Sequence, residues 1–261
     1  MKLQNILFEN KEENAVEPGM AAMATKLAQA VEKELEANKE EIESKEGQVN
    51  EAAIVGIIGY VLLSNTVANM LAKMFKWLAK KYNKPGNVYL GVPHRLDRPT
   101  SGVVIFAKTS KILPRMNALF ASQDAHKTYW ALVQPSPKKK SETLTHWMVR
   151  NTKQNKSYAH NNEVPNAKLA KLKYSLIKEL DRYSLLEIQL YTGRHHQIRA
   201  QLSAVGCCIK GDLKYGAARS NPDGSIHLHA RHLFFEHPVK KTAISITAPT
   251  PQEALWRACE I

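Results

Sequence analysis

The sequence predicts an α+β fold, a mixed and largely antiparallel sheet with flanking helices. Strand-like apolar runs at 103–107, 129–133, 184–190 and 242–247 outnumber the helix-like runs at 110–121 and 195–205. Hairpin-like strands with few helices between them favour an antiparallel sheet over a βαβ arrangement. A chain of 261 residues without an internal repeat is long enough to bury a substantial core, as one large domain or two small ones.

Taken in order, residues 20–46 read as an amphipathic helix, with Leu27, Val31, Leu35 and Ile42 at helical spacing between glutamates and lysines. Ala52 to Ala72 is a run of 21 residues without a charge. That length could span a membrane, but Ser64-Asn65-Thr66 interrupts it with a helix N-cap pattern. Val67, Leu71, Phe75 and Leu78 then form a one-sided stripe that runs past Lys73. The run therefore divides into a buried segment at 52–63, strand or helix, and an amphipathic helix at 66–82. Lys84-Pro85-Gly86-Asn87 is a turn. Pro135 to Lys140 is a loop, and residues 150–168, rich in Asn, Lys and His, read as a second exposed loop. The division expected is an N-terminal segment, 1–65, and a main domain, 66–261.

Charge is distributed unevenly. Residues 1–51 carry 6 lysines against 12 glutamates, a net charge of −6, while residues 52–261 carry 31 basic and 12 acidic residues, a net +19. A surplus of that size attracts polyanions by counterion release and long-range steering. Three cysteines, two of them adjacent at 207 and 208, cannot build a disulfide framework, so the chain reads as intracellular and reduced. Met1–Asn10 lacks the apolar core of a cleavable signal.

The densest chemical signal is His94-Arg95-Leu96-Asp97-Arg98-Pro99-Thr100-Ser101-Gly102, where one carboxylate stands between two arginines on the turn before an apolar strand. Opposite charges favour the ionised form of a carboxylate, and an ionised, fixed carboxylate can act as a nucleophile. By itself such an Asp is more often a surface ion pair. Two further blocks follow: Lys127-Thr128-Tyr129-Trp130-Ala131, and Tyr191-Thr192-Gly193-Arg194-His195-His196-Gln197-Ile198-Arg199. The second continues into Gly206 through Gly211-Asp212-Leu213-Lys214-Tyr215-Gly216.

Together these blocks resemble those of the RluA-type pseudouridine synthases, over roughly residues 66–257. The resemblance implies an α+β pseudouridine synthase fold with an active-site cleft crossing the sheet, and an RNA uridine isomerase that needs no cofactor. It implies Asp97 as the nucleophile, Arg199 as its partner, and Tyr129 stacked on the uracil. Arg95 would fill the gap left by an extruded base, Ile198 would wall the base pocket, Arg194 and His196 would support the fold or contact phosphate, and His94 would be a further RNA-binding residue. The substrate would be ribosomal or transfer RNA, and the protein a cytoplasmic monomer. The N-terminus departs from the family: no N-K-P-x-G turn follows Ile6-Leu7-Phe8, and the acidic and apolar segments stand in its place. That departure motivates one rival, a non-catalytic RNA-binding relative with an altered cleft wall. Another rival is a metal-dependent hydrolase using His195, His196, His227, His229, His232, His237 and the cysteines; none of these has the spacing and companion glutamate of a zincin helix. No metal is expected.

Overall fold

The computed structural model describes residues 54–59, 89 and 91–259. The expected helices at 20–46 and 66–82 and the turn at 84–87 lie outside the described residues. Those described all belong to one compact unit, Ile54–Leu63 with Tyr89–Ile261.

The fold is α+β, centred on one ten-stranded mixed sheet. Its strands are β1 (Ile54–Gly59), β2 (Ser101–Ala107), β3 (His126–Gln134), β4 (Ser141–Asn151), β5 (Lys156–His160), β6 (Lys168–Glu179), β7 (Ser184–Leu190), β8 (Cys208–Ile209), β9 (Leu228–Glu236) and β10 (Ala243–Thr247). The main order is β1-β2-β9-β3-β7-β6-β4-β5, with β10 beside β9 and β8 beside β3. Every pairing is antiparallel except the short β2–β9 ladder, where Ser101 meets His229 and Gly102 meets Ala230. Among the described residues the helices are α1 (Ile112–Ala121), α2 (Gln197–Ala204) and α3 (Ala254–Arg257), with a 3₁₀ turn at Leu213–Tyr215.

The segment at 52–63, open between strand and helix in the sequence, contains strand β1, which lies antiparallel against β2. No described helix is long and apolar enough to cross a membrane. The loop expected over 150–168 is corrected: β5 occupies Lys156–His160 and pairs with β4, Val149 opposite Tyr158. Its polar composition hid a strand whose one inward hydroxyl, Ser157, is buried by its neighbours.

The sheet positions the site through its alternation. On β3, β7, β6 and β4, Ala131, Ile188, Leu172 and Leu144 form one core cluster with Ile198 and Leu202 of α2. The opposite side chains of β3 and β7, Leu132 and Leu185, pack with Trp256 of α3. The helix carrying the arginine block is thus fixed by its apolar stripe to the middle of the sheet, which aims Arg199 at the loop before β2.

Candidate active site

Asp97 sits on the turn entering β2, where Thr100 N–H donates to the Asp97 carbonyl at 2.9 Å. The turn is tied down behind the carboxylate. Ser101 Oγ lies 2.8 Å from His229 Nδ1 on β9. Gly102 has φ +119°, and a Cβ there would stand 2.3 Å from the Ala230 carbonyl oxygen, so glycine alone lets β2 approach β9 this closely. The Asp97 side chain remains 27% exposed, open enough for a substrate atom to reach it.

Arg199, on α2, is 5% exposed and meets Asp97 Oδ2 through Nη1 at 3.4 Å. Its other edge is held more tightly. Nε donates to Asp212 Oδ2 at 2.7 Å and Nη2 to Asp212 Oδ1 at 2.8 Å, the two-pronged pairing a guanidinium favours. Burial works to lower the Arg199 pKa; the Asp212 hydrogen bonds and charge, with Asp97 behind them, outweigh it and raise the value. Arg199 is therefore a permanent cation. Tyr215 adds its ring face 5.0 Å from the guanidinium carbon.

Two histidines line the same place. His196 begins α2 in the left-handed conformation, φ 52°. Its Nε2 lies 3.8 Å from Asp97 Oδ2, and its Nδ1 lies 3.0 Å from the Tyr215 hydroxyl. Burial, then the charges of Arg199 and His195, pull its pKa from the usual 6.5 to about 3, so it faces Asp97 as a neutral imidazole. His195 stacks on it at 3.8 Å between ring centroids and is held by Ser157 Oγ at 2.8 Å. The His195 pKa is lowered by burial and then by Arg150, with Arg199 and Arg95 also contributing. Those three arginines therefore act on one region, an electropositive setting suited to a polyanion.

Tyr129 projects from β3 toward the same centre. Burial, and then the Asp97 charge, push its phenol pKa up, so the hydroxyl keeps its proton at neutral pH. It packs against the core cluster that contains Ile198, itself buried. Arg95 is exposed.

Two other candidates are engaged elsewhere. Arg194 donates Nε–H to the Leu169 carbonyl of β6 at 3.1 Å. His94 Nε2 accepts the Ile105 N–H at 3.0 Å and its ring lies 4.7 Å from Phe120. Its pKa falls to about 3, from burial and then the Lys127 charge. Sequence reasoning quoted Asp212 and Tyr215 without giving either a role, and did not single out Arg150 or Ser157. Asp212 stands out in the sequence only as a carboxylate in a glycine-flanked turn, which does not tie it to Arg199. Among the described residues, no three His, Cys, Asp or Glu side chains gather as a metal site.

Comparison with known proteins identifies the family. A family model described as RNA pseudouridylate synthase matches residues 59–204, a span that includes Asp97, Tyr129 and Arg199. An uncharacterized RNA pseudouridine synthase of Chlorobaculum parvum is 32% identical over 208 residues, 73% of this chain and 62% of that protein. The ribosomal large subunit pseudouridine synthase D of Zymomonas mobilis is 29% identical, covering 72% of this chain and 61% of that protein. A Chloroflexus aurantiacus relative is 35% identical across 64% of this chain and 52% of its own length. The chain thus spans about half to three-fifths of the length of these relatives. In fold it is similar to two human structures, RNA Pseudouridylate Synthase Domain Containing 1 and 4. The first has a TM-score of 0.62 at 20% identity, covering 81% of this chain and 85% of that one. The second has a TM-score of 0.61 at 23% identity, with 78% and 87% covered. A family match over more than half the chain, enclosing a carboxylate, a tyrosine and an arginine that the fold brings to one place, settles the kinship: the chain belongs to the RluA-type RNA pseudouridylate synthase family.

Proposed function

We propose that this protein isomerises uridine to pseudouridine in RNA, with Asp97 as the nucleophile. The observation that carries the reading is the Asp97 carboxylate itself, accessible yet 3.4 Å from a buried arginine. The reaction breaks the N1–C1′ bond, turns the uracil and joins C5 to C1′; C5 gives up a proton and N1 gains one. The Asp97 oxygen attacks either C1′ or C6, and in both cases its negative charge passes to the base. Arg199 faces the Asp97 carboxylate through Nη1 alone, at 3.4 Å, because its two-pronged edge is taken by Asp212. Tyr129 stacks on the detached uracil, with Ile198 behind it as an apolar wall. Arg95, two residues before Asp97 and exposed, takes the place of the extruded base. Arg194 and His94 support the RNA-facing side, His94 by holding the catalytic turn on β2.

The names of relatives support ribosomal RNA as the substrate class, with transfer RNA the alternative. We assign the catalytic domain to 66–261 together with strand β1, which pairs with β2, and the activity to a cytoplasmic monomer. Asp97→Asn keeps the side-chain shape and removes its charge. Pseudouridine formation in transcribed ribosomal and transfer RNA is expected to vanish in this variant, while RNA affinity stays within about threefold, since a phosphate-dominated interface barely notices one carboxylate. Retained turnover would overturn the nucleophile assignment. An unaltered protein that binds RNA but forms no pseudouridine would instead favour a non-catalytic binder.

A further inference from the structure

The Asp97–Arg199 contact is the looser of the two that Arg199 makes. The guanidinium is committed through Nε and Nη2 to Asp212 at 2.7 and 2.8 Å, whereas Nη1 reaches Asp97 at 3.4 Å. Asp212 is 1% exposed and Asp97 is 27% exposed. The inner pair is thus sealed and the outer carboxylate is the more accessible of the two. A charge-compensated arginine can remain buried whatever Asp97 does, whereas a buried arginine with no partner costs several kcal/mol.

That difference matters for the reaction proposed above, on which this inference rests. When the Asp97 oxygen bonds to carbon, the carboxylate becomes an ester or an adduct and its negative charge leaves with the base. Attack at C1′ sends the bonding pair to N1; attack at C6 sends the C5–C6 π pair toward C5 and O4. An arginine neutralised by Asp97 alone would then be a buried, uncompensated cation facing the intermediate. Asp212 removes that penalty.

We infer that Asp212 is a positioning residue for the isomerisation, holding Arg199 oriented and charge-compensated while Asp97 changes from free carboxylate to bonded carbon substituent. The backbone around it is built for this. Gly211 has φ +87°, and a Cβ there would stand 2.8 Å from both the Asn221 amide nitrogen and the Ser225 carbonyl oxygen. The Asp212 N–H donates to the Ile209 carbonyl at 3.1 Å, and its own carbonyl accepts from Tyr215 and Ala217, each at 3.0 Å. The same short turn supplies Tyr215, whose ring covers Arg199 and whose hydroxyl accepts the Ser157 N–H at 2.8 Å. The Gly211–Tyr215 turn is in this sense the seat of the catalytic arginine.

The test uses the full chain and transcribed ribosomal and transfer RNA carrying tritium at uridine C5, which is released as pseudouridine forms. Single-turnover rate, RNA affinity and melting temperature are measured for Asp212→Asn, Arg199→Gln and the double variant. Asp212→Asn is expected to lose about 100-fold in rate, the scale of an ångström-sized misplacement, with affinity within about threefold. The double variant is expected to be no slower than Arg199→Gln alone, because Asp212 acts through Arg199. A purely structural carboxylate would lower affinity and melting temperature together and give additive rate losses; that result overturns the inference, as does Asp212→Asn turning over within about threefold of the unaltered protein. If Asp212→Asn does not fold, Asp212→Glu decides. It keeps the charge but displaces the fork by one methylene, and a rate unchanged within about threefold in that variant overturns the inference. If the unaltered protein releases no tritium, the nucleophile reading fails and this inference fails with it, whereas tritium release that survives every Asp212 variant sinks this inference alone.

Discussion

At the scale of single residues, the site is an ordered line of charge: Asp97 negative and half-open, Arg199 positive and buried, Asp212 negative and sealed. Lysine cannot replace the middle member. Its ammonium is a point charge on a flexible stem and cannot bond both Asp212 oxygens while reaching Asp97. Arg199→Lys is therefore expected to lose at least about 100-fold in single-turnover rate while RNA affinity stays within about threefold; a rate near that of the unaltered protein would show that only the charge matters. Tyr129 allows a finer cut. Its phenol keeps its proton because burial and the Asp97 charge disfavour the phenolate, so it can donate a hydrogen bond but cannot serve as a standing base. Tyr129→Phe keeps the ring and removes the hydroxyl. If stacking is its main work, the variant loses no more than about tenfold, whereas Tyr129→Ala loses far more, since base–aromatic stacking contributes about 1–3 kcal/mol; equal losses in the two variants would assign the work to the hydroxyl.

At the scale of elements, the turn before β2 is where sequence and geometry coincide most closely. Gly102 is required by its φ of +119° and by the Ala230 backbone, which leaves no room for a methyl. Gly102→Ala is expected to destabilise the protein by about 2–4 kcal/mol, as strain at a special backbone conformation does, with a matching fall in melting temperature; an unchanged melt would mean that β2 and β9 separate freely. The same comparison explains what could be read from the chain and what could not. Strands β2 and β7 were legible because their apolar side chains are consecutive or nearly so. Strands β4 and β6 were not, since Thr143, Thr145, Lys171 and Lys173 occupy their exposed face and lysine has little intrinsic preference for strands. Neighbours on both sides, β6–β7 and β4–β6, supply the stability that the local sequence lacks. Asp97, Tyr129 and Arg199 were readable because each stands in a motif. The role of Asp212 was not, because it is defined by a hydrogen-bond fork between residues 13 apart in sequence. His94 and Arg194 stand in the same motifs, and their observed bonds are to backbone groups.

At the scale of the whole molecule, two properties follow from summed charge. If the proposed RNA substrate is right, the +19 surplus over residues 52–261 makes its binding one driven by counterion release. If about five phosphates are neutralised, affinity falls about 500-fold between 50 and 200 mM salt, which filter binding would resolve; a flat response would remove the case for an RNA substrate. Stability depends on pH through histidines that the fold keeps uncharged. Burial, the first cause in each, lowers His94, His196 and His227 to about 3 and His229 to about 4, from the usual 6.5. Below pH 6.5 the unfolded chain protonates these rings while the folded chain does not, so the unfolded state binds more protons and stability falls with falling pH. The stabilisation is complete above pH 6.5 and is lost progressively as pH drops toward the folded values of 3 to 4. At pH 5 each ring costs at most about 2 kcal/mol, so the melting temperature is expected to be lower at pH 5 than at pH 7.5 by several degrees. Thermal melts at pH 7.5 and 5.0 measure this directly. The difference is expected to shrink by roughly a quarter in a folded variant that replaces one of these rings, such as His229→Gln, and a melting temperature independent of pH across that window would show that the rings exchange protons freely with solvent in the native state.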